Sequence, residues 1–360
     1  MDQYTQGPEP APYDAFAFHG RWQEFAPIVF TNLLLTIVTL GIYRFWAKAR
    51  ERRYLWSRTQ FVDDRLEWTG TGKEMFLGFL IVMAVLLPVG IFVQFGVPAL
   101  FARGYGLLAG LLVFAIYGGF FYLIGVAMFR ALRYRLSRTR WHGLRGGSEQ
   151  GGWAYGGTAI LMSIITGLTG GIAYPWAQVR LWRDRWGAMT YGDAWVGTDN
   201  GSMPKGLFAR WLLIYVGAAV LFIGFAVGFG AISLAGGNQE TVILIGIAFF
   251  AGFYLGVPLL FVTYYAKFMR EMIGEMGWMD VDFSFNARTL DWIKLYLGHA
   301  LLVVVTLGVG ILFIGYRNWS FFVRHLEARG EIDPDRIAQS DLTMRTDAEG
   351  LADAFDIGAI

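Results

Sequence analysis

Four uncharged apolar runs limit this chain more than any other feature. They are residues 75–98, 106–129, 211–235 and 241–266, each of 24 to 26 residues without Asp, Glu, Lys or Arg. About 20 apolar residues cross a bilayer core, and tilt takes up the excess. In lipid such a run must satisfy its own backbone, so each is predicted as a transmembrane helix. The runs come in two close pairs, joined by residues 99–105 and 236–240, which suits two helical hairpins. Composition agrees. Hydrophobic residues make up 55% of the 360, charged residues 16%, and mean hydropathy is +0.44. A soluble domain carries about a quarter charged residues. No early basic patch followed by an apolar core marks a cleaved signal, so the first apolar segment is expected to be retained.

Three further apolar segments, 25–43, 153–177 and 295–316, are each interrupted by a Thr/Gly cluster. Thr39-Leu-Gly-Ile leads to Trp46 and Arg50. Thr169-Gly-Gly-Ile leads to Trp176 and Arg180. Thr306-Leu-Gly-Val leads to Phe313 and Arg317. The three align without gaps at offsets of 130 and 267 and read as an internal repeat. Short alternating stretches flank them and are predicted as strands: Phe16–Gly20, Trp141–Gly143 and Phe283–Asn286 before, Arg65–Gly70, Ala194–Thr198 and His325–Arg329 after.

Charge chooses between two topologies. If all seven segments cross, the Lys and Arg residues divide 19 against 11 between the two faces. If the three broken segments enter and leave on one face, the division is 29 against 1. The positive-inside rule favours the second arrangement, with both termini and all strands cytoplasmic. Glycine in each cluster permits a reversal, and irregular backbone at membrane depth is tolerated where protein or water surrounds it. The competing arrangement is seven full spans, with copies one and two as an inverted repeat of the kind transporters use.

The expected fold class is therefore an all-α polytopic membrane protein with short cytoplasmic β-strands: four transmembrane helices in two hairpins plus three repeated broken segments, re-entrant or spanning. Its parts are a flexible N-terminus 1–15, repeat unit one 16–74, hairpin one 75–129, repeat unit two 130–205, hairpin two 206–270, repeat unit three 271–330 and an acidic tail 331–360. The tail carries eight acidic residues against two arginines and reads as a solvated segment, with partner recruitment as the alternative.

Polar groups at membrane depth are the candidate binding residues. Asn32 and His299 both stand seven residues before a motif threonine, where copy two has Met162. With Thr39, Thr169 and Thr306 they form a candidate substrate-binding set; the alternative is helix–helix hydrogen bonding. Arg50, Arg180 and Arg317 each follow an aromatic by four residues and share its helix face. With Arg53, Arg183, Trp46 and Trp176 they form a candidate site for an anionic lipid headgroup; the alternative is interfacial anchoring. His19 and His142 fall at matching places ahead of copies one and two and could pair. GxxxG spacings at Gly106/Gly110, Gly224/Gly228 and Gly252/Gly256 read as points of close helix approach.

The run from Asn32 through Thr39-Leu-Gly-Ile-Tyr to Trp46-Ala-Lys-x-Arg50, the Phe16-x-Phe18-x-Gly20 opening and the later Trp176 and Arg180 resemble the YjgN-like family. These are bacterial inner-membrane proteins built around a domain of unknown function, and the resemblance covers roughly residues 16 to 330. Phe45 stands where the family tends to have Pro before Trp, which Pro175 keeps in the second copy, and Phe313 replaces Trp in the third. The resemblance implies a multi-pass protein of the bacterial inner membrane and no established reaction.

With zero cysteines, disulfides, thiolate catalysis and cysteine metal sites are excluded, and the four isolated histidines match no spaced ligand set. No cofactor and no metal are expected. A net charge of +2 supplies no field for nucleic acid. The expected partners are membrane lipids, an anionic phospholipid among them, with a homo-oligomer left open. The leading expectation is a non-enzymatic protein that moves or accommodates a small or lipid-like molecule. The rival is a membrane scaffold recruiting cytoplasmic partners.

Overall fold

The structure is a computed structural model and describes residues 15–199, 201–236, 238–330 and 339. A first unit runs β1 (Phe16–Phe18), α1 (Trp22–Val38), α2 (Arg44–Ser57), β2 (Thr59–Phe61), β3 (Asp64–Arg65) and β4 (Glu67–Trp68). A hairpin follows: α3 (Gly72–Ile91), a π turn (Phe92–Gly96), α4 (Val97–Ala102) and α5 (Gly106–Arg138). The second unit is β5 (Thr139–Trp141), β6 (Leu144–Gly147), α6 (Trp153–Leu168), α7 (Tyr174–Trp186), β7 (Thr190–Tyr191) and β8 (Ala194–Thr198). The second hairpin is α8 (Leu207–Leu234), α9 (Gln239–Ala251), a π turn (Gly252–Gly256) and α10 (Val257–Gly274). The third unit is β9 (Met276–Trp278), β10 (Val281–Phe285), α11 (Thr289–Val305), a 3-10 turn (Val309–Phe313), α12 (Ile314–His325) and β11 (Leu326–Arg329).

Among the described residues, four helical stretches are long and apolar enough to cross a membrane: Gly72–Ala102, Gly106–Arg138, Leu207–Leu234 and Gln239–Gly274. They are the expected four, with different ends. Pro98 and Pro258 do not stop their helices. Proline lacks an N–H and its ring crowds the carbonyl one turn back. In both places the preceding turn widens to the π form, which absorbs the misfit, and the helix continues. At the other end, Arg130 to Arg138 continue α5 to 33 residues, about 50 Å at the usual rise. That exceeds a hydrocarbon core of about 30 Å, so the basic turns of α5 project beyond it.

The strands correct the all-α expectation. They join into an open eight-stranded half-barrel in the order β11-β10-β9-β8-β7-β6-β5-β4, antiparallel throughout, beside a smaller β1-β2-β3 sheet. Single strands predicted at Arg65–Gly70 and Trp141–Gly143 are also redrawn. The first is split into β3 and β4, which belong to different sheets. In the second, Trp141 ends β5 while His142 and Gly143 form the turn at positive φ, so β6 is the strand that leads into unit two. The strands on either side of each helix pair are hydrogen-bonded to one another: β1 to β2, β6 to β7, β10 to β11. The incoming and outgoing ends of each unit therefore meet.

Side chains of unit three pack into unit one. Phe313 and Tyr316 contact Phe25 at ring distances of 6.3 and 5.2 Å, and Tyr316 donates to the carbonyl of Gly20. Helix α6 lies along α5, and α8 along α10. Closest approach comes where glycine allows it, at Gly125 and Gly156 between α5 and α6. The GxxxG positions named above divide: a Cβ on Gly110 or Gly224 would meet nothing within 4 Å, whereas one on Gly252 would lie 2.9 Å from Leu221 Cδ2 of α8 and one on Gly228 would lie 3.4 Å from Ile245 Cδ1 of α9.

Candidate functional site

The three broken segments turn in one geometry. Thr39, Thr169 and Thr306 each donate Oγ1 to the carbonyl four residues back, at 2.7, 2.9 and 2.6 Å. Each hydroxyl also accepts the N–H four residues on, from Tyr43, Ala173 and Gly310 at 2.9, 3.1 and 2.7 Å. The next two residues take positive φ in every case: Leu40 and Gly41, Gly170 and Gly171, Leu307 and Gly308. A hydroxyl used twice inside its own turn caps one helix and starts the next. Turn two is further held by α8, where Trp211 Nε1 and Tyr215 Oη donate to Gly171 and Gly170 carbonyls. At the tips, Leu40 is 94% and Leu307 95% exposed.

Asn32 is buried and donates Nδ2 to the Ala47 carbonyl and to Glu51 Oε1, both at 3.2 Å, so it ties α1 to α2. His299 is also buried, with its ring 6.2 Å from Tyr296 and no hydrogen-bond partner for Nε2 among the described residues. Arg317 lies over the bare Cα of the adjacent Gly298, where a Cβ would strike its guanidinium.

The arginines of the headgroup set go to different neighbours. Arg50 and Arg53 lie on the exposed side of α2, where Trp46 packs on Phe76 at 5.5 Å. Arg180 pairs with Asp184 at 3.1 Å, beside an exposed Trp176. Arg183 grips Glu275 through two bonds, Nε to Oε2 at 2.9 Å and Nη2 to Oε1 at 2.7 Å. The histidines do not pair either. His19 meets Gln60 at 3.1 Å, and His142 meets Asp63 at 2.8 Å, which holds the Asp63 carboxyl below its ordinary pKa.

A cavity that the sequence reading missed lies where all three units converge. It holds about 350 Å³, within the usual range of small-molecule sites. Its wall is built from the strands and the ends of α2, α5, α7, α10 and α12. Six indoles line it. Trp56 stacks on Trp319 at 4.1 Å, and their N–H groups go to Thr139 and Thr59. Trp141 and Trp278 donate to the Phe61 and Tyr191 carbonyls. Trp182 and Trp186 have no acceptor among the described residues. Arg135 and Arg185 supply the charge. A signal was present: the offset of 130 maps Trp56 onto Trp186, and the difference of 137 maps Trp182 onto Trp319. Tryptophans at these matching offsets thus meet in the cavity wall.

Comparison with known proteins identifies relatives. The profile of a family described as bacterial protein of unknown function (DUF898) matches residues 13–354. Inner membrane protein YjgN of Escherichia coli O157:H7 is 30% identical over 134 residues, 37% of this chain and 31% of that protein. The protein of that name from Escherichia coli K12 is 38% identical over 69 residues, 19% and 17% of the two chains. The one from Salmonella typhimurium is 30% identical over 105 residues, 29% and 27%. The matched stretches thus span less than a third of these relatives' own length. No solved structure gives a significant match.

Proposed function

The chain belongs to the DUF898 family of bacterial proteins, and from that premise we propose that it is a multi-pass inner-membrane protein that accommodates a small or lipid-like molecule without enzymatic chemistry. The cavity at the junction of the three units carries this reading, because an apolar space of about 350 Å³ walled by six indoles is costly to leave empty.

The units themselves are copies of one re-entrant element in this reading. The shared turn geometry and the offsets of 130 and 267 support common descent. The pairing of incoming with outgoing strands supports insertion and return on one face. Exposed Leu40 and Leu307 suit tips set in hydrocarbon, and 29 of 30 basic residues then lie on the cytoplasmic side with the C-terminus. The broken helices hold the cavity at the membrane surface, where a molecule could pass between bilayer and chamber. A scaffold acting through the acidic tail is the second reading. Residues 331–360 lie outside the described residues except Gln339, and that side chain accepts the Arg145 N–H of the chain's own sheet.

The test is extraction and mass spectrometry of protein purified in non-ionic detergent. The expected result is one organic molecule retained near equimolar ratio by the native chain and lost from Leu136→Trp, which fills the cavity from its α5 wall. Equal retention by both proteins, or none by the native chain, would overturn the proposal.

A further inference from the structure

We propose that the cavity is an anion site: it takes an amphiphile with an oxygen-bearing anionic head and an apolar body, the head held by Arg185. This rests on the reading of the cavity as a chamber for a ligand and names the ligand's chemistry.

Arg185 is 5% exposed, and its Nε and Nη1 have no acceptor among the described residues. Its guanidinium lies 5.9 Å from the Trp182 ring. Burial opposes its charge most, nearby Tyr155 favours it, and nearby Arg135 opposes it. A guanidinium cannot discharge in a protein, so the charge remains and is among the most expensive groups to leave unpaired. Other buried arginines here are answered. Arg138 has Glu74 at 3.1 Å, and Arg133 donates Nη1 to the Gln150 carbonyl.

The unpaired groups in the cavity wall share one sign. Arg185, Trp182 and Trp186 all offer N–H donors without acceptors. What would complete them is a group rich in acceptors and negative in charge, as a carboxylate or phosphate is. The remaining wall is largely aromatic and aliphatic, so the rest of the ligand is apolar.

The repeat sharpens the argument. The offsets place Leu55 of unit one and Phe322 of unit three at the position of Arg185. Leu55 is buried, and Phe322 lines the cavity. An apolar side chain therefore serves the packing at this position twice. The cation in unit two gains nothing for packing and is explained by what it binds.

Equilibrium dialysis of the full chain in non-ionic detergent, with radiolabelled decanoate, decyl phosphate and decanol, tests this. The native protein should bind decanoate, decyl phosphate or both at least about tenfold more tightly than decanol. Whichever anion binds separates a fatty-acid-like head from a phospholipid-like one. Arg185→Leu should abolish the preference and melt no lower than the native chain, because a buried charge has been replaced by the residue of unit one. Equal binding of all three probes to the native chain would overturn the anion assignment and leave the chamber standing. Binding of none would overturn both. A lower melting temperature for Arg185→Leu, with the anion preference intact, would make Arg185 a packing residue and end the proposal.

Discussion

Leucine at Gly156 is expected to detach α6 from α5 and cost more than about 3 kcal/mol, the upper end for ordinary overpacking. A Cβ there would lie 2.5 Å from Val126 Cγ2 and 3.1 Å from the carbonyl oxygen of Tyr122. On the facing helix, a Cβ at Gly125 would lie 2.7 Å from Ala159 Cβ and 3.1 Å from Gly156 Cα. Val126 Cγ2 can turn away about χ1, but the Tyr122 carbonyl oxygen, Ala159 Cβ and Gly156 Cα cannot be moved by any rotamer change, so the helices themselves must part. Apolar helices in lipid gain little from hiding surface and associate through close packing, so lost contact is not recovered elsewhere. Gly125→Leu should behave the same way. Gly118→Leu and Gly119→Leu should be near neutral, since nothing lies within 4 Å of either Cβ position. Thermal denaturation in detergent, followed by the monodisperse fraction, reads all four. Similar loss at Gly118 and Gly156 would contradict the close approach.

The second large effect is expected at Glu275. Its carboxylate takes both parallel bonds of the Arg183 guanidinium, with side chains only 11% and 16% exposed. Arg183 also donates to the Gly201 carbonyl at 2.7 Å. The cluster fixes the end of α7 against the end of α10, and so joins unit two to unit three. Two-pronged pairs shielded from solvent are stronger than surface pairs and less sensitive to salt. Glu275→Ala strands a cation in a partly buried place and should cost about 2–3 kcal/mol, while Glu275→Gln keeps one acceptor and should cost less. Arg183→Lys should not rescue, because an ammonium cannot make the two-pronged contact. A double-mutant cycle with Arg183→Ala isolates the coupling. A coupling near zero would contradict the pairing.

That pair also shows where sequence reading reaches its limit. Arg183 was placed with a headgroup set because it recurs with Arg53 beside a motif arginine. Its partner lies 92 residues later, beyond an entire hairpin, and only the fold brings them together. The spans were legible because each apolar run is longer than a bilayer core requires. The Thr-Gly turns were legible because one hydroxyl and one residue at high positive φ suffice to build them. The sheet was not. Its strands have two to five residues, too short for alternation to register, and the units join through the β4–β5 and β8–β9 pairs, whose partners lie a whole hairpin apart in sequence. Asn32 stands out as a polar residue in an apolar segment, but its partners Ala47 and Glu51 come from α2, which a residue count alone cannot orient against α1. The cavity tryptophans repeat openly at 130 and 137, yet repetition gives no sign of which side chains face one space.

Insertion and return on one face remains the claim on which most else depends, and accessibility of single thiols tests it most directly. The chain contains no cysteine, so each introduced thiol reports alone. Cysteine at His19, Asp64, Asp193 and Asp282, exposed positions flanking the three units, is expected to be shielded from an impermeant reagent in intact cells and to react after permeabilisation. Cysteine at Tyr105, between α4 and α5, and at Asn238, between α8 and α9, should react in intact cells. Reaction at Asp193 with protection at His19, in intact cells, would place two successive units on opposite faces and contradict the account.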